Sequence, residues 1–128
     1  MTIKYKVIER GQPGVVGGGE KKFYASSASN GELTLEKLTK RIAQNSTVGG
    51  ADIRAVLYAL VEVMQDGLEE GSIVRLGELG SLRVSISSNG EANKEDVTAH
   101  SIKNAKTLFT PGKELKTMLT NLTYEKVV

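Results

Sequence analysis

The chain has no cysteine and no tryptophan, two prolines and one histidine in 128 residues. Without cysteine there are no disulfides and no thiolate metal ligands. No apolar run approaches the roughly 20 residues that cross a bilayer. The opening Met1-Thr-Ile-Lys-Tyr-Lys6 lacks the apolar stretch of a signal peptide, so we expect a cytoplasmic protein with no membrane partner. His100 has no second ligand or base at motif spacing and reads as a surface or turn residue. Excess charge is also missing. The net charge is +2, less than dedicated nucleic-acid binders usually carry, so any such role must rest on where the charges lie.

Signs of catalysis are equally sparse. Gly14-Val-Val-Gly-Gly-Gly-Glu-Lys21 lacks the closing Gly-Lys-Ser/Thr of a phosphate loop and reads as a flexible connection. Gly77-Glu-Leu-Gly80 lacks a third glycine and lies between strands, so it is no dinucleotide fingerprint. No nucleophile, base and orienting group occur together. The expectation is therefore no enzyme, no cofactor, no metal and no small-molecule substrate.

What the chain does have is periodicity. Ile3, Tyr5 and Val7 alternate with Lys4 and Lys6, which predicts a strand. The two lysines read as the exposed side of an edge strand, guarding it against aggregation. Residues 22–28 predict a second, weaker strand across the glycine-rich loop. Residues 1–30 are thus an accessory N-terminal β segment, and residues 31–128 the main domain.

Thr34 is placed to cap a helix through about Gln44, with Leu35, Leu38 and Ile42 as its apolar stripe. A longer helix is predicted from about Ala51 to Glu69. Its Ile53, Val56, Leu57, Leu60, Val61, Met64 and Leu68 recur every three or four residues, marking one buried face. That face is larger than the first helix and a small strand pair can cover, so a second copy of the chain is its natural partner. Gly71 suits the helix end.

Val74 and Leu76, then Leu82, Val84 and Ile86, alternate with Arg75, Arg83 and Ser85, predicting two strands around a glycine turn. Asn93 is positioned to cap a short helical turn. A strand returns at residues 101–109. Pro111 reads as the first position of a last helix carrying Leu115, Met118, Leu119 and Leu122.

Helix, turn, long helix, glycine-turned strand pair, arm, strand and short helix is an order that resembles the HU/IHF family of bacterial histone-like DNA-binding proteins. Two stretches carry the resemblance. Gly77-Glu-Leu-Gly-Ser-Leu-Arg-Val84 looks like the family's glycine turn, with leucines for its aromatics. Phe109-Thr-Pro-Gly-Lys-Glu-Leu-Lys116 looks like the family's core-closing phenylalanine and helix opening. The added N-terminal β segment is similar to that of extended HU-related proteins. The resemblance implies an α+β fold built as an intertwined HU/IHF-like homodimer, with a helix pair packed on a small antiparallel sheet. It implies double-stranded DNA as partner, bound through a basic saddle in the nucleoid, with residues 31–128 as the DNA-binding domain. The residues to which it gives that role are Arg75, Arg83, Lys103, Lys106, Lys113 and Lys116.

The family's arm tip carries a proline that wedges between base steps. This chain has no proline between Pro13 and Pro111 and no arginine after Arg83, so the wedge is not carried over. The region 87–106 balances to zero charge, and an arm of that kind adds little to phosphate binding. These departures sustain an alternative: an HU-fold interaction or structural module that has lost DNA binding.

Overall fold

The computed structural model describes residues 1–127. Its elements are β1 (Ile3–Arg10), β2 (Lys22–Ala28), α1 (Leu35–Gln44), α2 (Gly50–Glu69), β3 (Val74–Arg75), β4 (Gly80–Ser88), β5 (Ile102–Pro111), α3 (Lys113–Thr120) and β6 (Tyr124–Lys126). The fold is α+β, with three helices and two three-stranded sheets. The chain divides into two compact units. One holds Met1–Leu38 together with the stretch from Met118 onward, and the other holds Thr39–Thr117.

In the first unit the strand order is β2-β1-β6. β1 and β2 form an antiparallel pair from Lys4↔Ala28 to Arg10↔Lys22. β6 joins β1 in parallel, from Ile3↔Tyr124 to Tyr5↔Lys126. This strand was not anticipated. It moves β1 to the centre of the sheet and overturns the edge-strand reading of Lys4 and Lys6. The pairing is locked where the Ile3 amide donates to the Thr123 carbonyl at 2.8 Å and the Val127 amide to the Tyr5 carbonyl at 2.8 Å.

The second unit holds α1 from Thr39 on, α2, the sheet β3-β4-β5 and α3 as far as Thr117. The start of α1 is fixed as expected, the Lys37 amide donating to the Thr34 hydroxyl at 3.3 Å. α2 ends in a Schellman motif. The Gly71 amide donates to Leu68 and the Ser72 amide to Gly67, both at 3.0 Å, with Gly71 at φ 83°. A side chain on Gly71 would strain that left-handed turn.

β4 pairs with β5 from Gly80↔Pro111 to Ser87↔Asn104, then slips so that Ser88 faces Ile102. Lys103 is the extra residue of this bulge. Residues 89–101 fold back as two short 3₁₀ turns. Buried Ser101 organises them. Its hydroxyl accepts the Thr98 amide at 3.1 Å and donates to Glu91 Oε1 at 3.0 Å, while its carbonyl accepts the Asn89 amide at 2.7 Å. In place of an extended arm the hairpin carries a closed tip.

Three expectations are corrected in detail. Asn93 does not cap its turn through an acceptor oxygen; its side-chain amide donates to Asp96 Oδ2 at 3.3 Å. Pro111 ends β5 and does not open α3, which starts at Lys113. β5 lies at the sheet edge, where a missing amide leaves no ladder bond unmade. α3 stops at Thr120, so Leu122 lies beyond it.

The single chain buries little. Ile53 is the one hydrophobic residue classed as buried among those described, while Val56, Val61, Ile86 and Phe109 stand 64, 63, 59 and 50% exposed. Met64, Leu68, Leu82 and Val84 line an open apolar cleft of about 600 Å³ between α2 and the sheet.

Candidate nucleic-acid interface

The register decides which cations share a surface, because residues paired across an antiparallel ladder point to the same side. Leu82, Val84 and Ile86 pair with Phe109, Thr107 and Ala105 and form the face toward α2. Ser81, Arg83, Ser85 and Ser87 pair with Thr110, Leu108, Lys106 and Asn104 on the other. Arg75 pairs with Ser81 and so joins that second face. The polar face thus carries Arg75, Arg83 and Lys106, interleaved with hydroxyl groups that can donate to phosphate oxygens. Arg75, Arg83 and Lys106 are all exposed.

Lys113 and Lys116 come to the same region from α3. With Arg75, Ser81, Thr110 and Thr117 they line a groove of about 530 Å³ at the end of the sheet. Two glycines make this geometry. A β-carbon on Gly112 would run into the Glu78 carbonyl oxygen, and one on Gly80 into the Thr110 carbonyl oxygen. The close approach lets the Gly112 amide donate to the Leu79 carbonyl at 3.0 Å, and the Gly112 carbonyl accept from the Lys116 amide at 3.0 Å. The turn after β3 is thereby fastened to the start of α3. Arg75 and Lys113 reach one groove because the backbones touch.

Lys103 stands apart. It is three residues before Lys106 on β5, so alternation puts it on the other side, at the bulge. Five of the six candidate cations are brought together, and Lys103 is not among them. Sequence alternation was enough for Arg75 and Arg83. The hydroxyls of Ser81 and Thr110 were missed, although both fall on the polar side of a strand pattern already read. The tip beyond the sheet carries Glu91, Glu95 and Asp96 against Lys94, so the cations end where the tip begins.

Among the described residues no group of three or more acidic, histidine or cysteine side chains could hold a metal ion. No helix there is long and apolar enough to cross a membrane.

Comparison with known proteins adds the family. No curated protein matches the chain. A solved structure from Bacteroides vulgatus ATCC 8482, titled a "Putative bacterial DNA binding protein", is similar with a TM-score of 0.65 at 16% identity. The match covers 98% of this chain and 48% of that one, so this chain spans about half the length of that neighbour. At this identity the likeness speaks to the fold. A family model described as "HU domain fused to wHTH, Ig, or Glycine-rich motif" matches residues 1–126. Over nearly its whole length, then, the chain belongs to the HU-HIG family of fused HU-domain proteins.

Proposed function

We propose that this protein is an architectural DNA-binding protein of the bacterial nucleoid, which grips duplex backbone with little regard to sequence through a basic saddle made by two interlocked copies. The observation that carries the reading is the convergence of Arg75, Lys113 and Lys116 on one groove, with Arg83 and Lys106 continuing the same sheet face. Guanidinium and ammonium groups among hydroxyls suit phosphate oxygens, which position a protein on DNA without reading bases. Helix α3 opens at Lys113 beside this groove, and the first amides of a helix, having no carbonyl a turn before them, add donors of the same kind.

The homodimer is supported by what one chain leaves uncovered. On α2, Val56 and Val61 stand exposed, and the apolar cleft lined by Met64, Leu68, Leu82 and Val84 is open. A second copy supplies the matching apolar faces, and pairing doubles the cationic groove. Residues 31–128 would carry the DNA-binding domain, with the N-terminal β segment as an addition to it.

A salt-titrated binding assay on mixed-sequence duplex tests the reading. Affinity should fall steeply with salt, by roughly a thousandfold from low to moderate concentration if about six cations meet phosphates. Absence of binding at low ionic strength would reject it in favour of an interaction module that keeps the fold alone.

A further inference from the structure

The first unit has two unlike faces. Ile3, Tyr5 and Val7 share one side with Phe23, Ala25 and Tyr124, and the exposed apolar residues of the sheet lie there. The opposite side carries Lys4, Lys6 and Arg10 along β1 and Lys22 across from Arg10, with half-buried Ile8 and Tyr24 paired between Lys6 and Arg10. All four cations are exposed. One carboxylate shares this side, Glu125, paired with Lys4 and accepting a hydrogen bond from the Thr2 hydroxyl at 3.2 Å.

Such a face is costly by itself. Arg10 and Lys22 are directly opposite, an arrangement that like charges disfavour. No acidic residue pairs with Lys6 or Arg10; their cross-strand neighbours on β2 are Ser26 and Lys22. Nor do Lys4, Lys6 and Arg10 protect a sheet edge, since β1 is the central strand; of the four only Lys22 lies on an edge strand. The Arg10 guanidinium lies 5.2 Å from the centre of the Tyr24 ring, which steadies its position. Lys4, Lys6 and Arg10 form a row of about 20 Å at about 3.4 Å per residue.

We infer that this face is a second DNA-backbone-binding surface, separate from the groove of the second unit. Duplex DNA presents one negative charge per roughly 1.7 Å of axis, so a row of exposed cations meets phosphates along its whole length. A lipid surface is the poorer occupant. Membrane-seated faces mix cations with exposed apolar side chains; here Ile8 and Tyr24, which lie among the cations, are half-buried, and the exposed Ile3, Val7, Phe23 and Tyr124 stand on the other side of the sheet. The inference rests on the DNA-binding reading of the chain, and the test separates the two.

The wild-type protein is treated with an acetylating reagent, with and without mixed-sequence duplex, and each lysine is followed by mass spectrometry. Duplex should slow acetylation of Lys6 and Lys22 severalfold while Lys126, on the apolar side, is unaffected. Unchanged Lys6 and Lys22 beside protected Lys113 and Lys116 overturn this inference and leave the groove intact. Protection at no lysine overturns both. Protection of Lys6 and Lys22 by anionic phospholipid vesicles but not by duplex overturns it in favour of a membrane. As a second measure, the Lys6→Thr, Arg10→Thr, Lys22→Thr variant keeps β-favouring residues. With its melting temperature unchanged, its plot of log affinity against log salt should flatten by about 3, near 0.9 per lost phosphate contact. An unaltered slope in that folded variant overturns the inference.

Discussion

Arg75 lies directly across the ladder from Ser81, and Ser81 in turn from Thr110, so one row of side chains crosses all three strands of the second sheet. The row ends at the groove that Lys113 and Lys116 also line. A guanidinium at one end and hydroxyls along the rest make a donor strip on a rigid support. The strip owes its direction to the sheet, and its meeting with α3 to two glycines.

Reversing charge at that groove should abolish DNA binding and spare the fold. Arg75→Glu with Lys113→Glu replaces two exposed cations by anions, and exposed substitutions of this kind change stability by less than about 0.5 kcal/mol. Gel shift at low salt should show at least a hundredfold weaker binding, with thermal unfolding unchanged. Lys103→Glu, on the other side of the sheet, should weaken binding far less.

Gly112→Ala should destabilise the second unit. The added methyl meets the Glu78 carbonyl, a backbone atom that can yield only by moving the turn. Overpacking of this sort costs about 1–3 kcal/mol, measurable as a lower urea midpoint. Because Gly112 also bonds Leu79 and Lys116, DNA affinity should fall together with stability.

Val61→Glu should break the proposed homodimer. Val61 is 63% exposed in one chain and lies at the apolar cleft between α2 and the sheet. A carboxylate there cannot be covered by a partner without a large desolvation cost. Light scattering should show loss of the dimer mass, and the wild type's melting temperature should rise with protein concentration, as a dimer's does.

Ser101→Ala should loosen the hairpin tip and leave DNA affinity nearly unchanged. The hydroxyl serves both Thr98 and Glu91 from a residue only 3% exposed, while both partners are exposed and regain water, so losing it costs about 0.5–1.5 kcal/mol per hydrogen bond. Hydrogen exchange at the Thr98 amide should quicken. If the acidic tip takes no part in gripping DNA, the salt dependence of binding will match that of the wild type.

Much of this fold was legible because its signals are local and repeated. The α2 stripe, the Thr34 cap, Gly71 and the alternation of Arg75 and Arg83 each depend on neighbours a few residues away. What escaped depends on distant ones. Tyr124-Glu-Lys126 is too short to show a period, and it is a strand only because β1 offers a parallel ladder. Reading Lys4 and Lys6 as guards of an edge followed from not seeing that strand. The side taken by Lys103 follows from its odd spacing to Lys106 and was legible; the slip between Ser87 and Ser88 that puts it at a bulge was not. Pro111 satisfies the rule for a helix start and equally that for the end of an edge strand; the backbone contact at Gly112 decided between them.

The parallel pairing of β1 with β6 bears on how the molecule is made. Ile3 finds Tyr124 only after nearly all the intervening chain has left the ribosome. Until then the β1–β2 hairpin stands alone, and isolated hairpins are marginal in water. The second unit has no such wait, since all its strands and helices are contiguous in sequence. In synthesis, therefore, β1 must wait for a partner strand far downstream, whereas β4 and β5 can pair as soon as both have emerged.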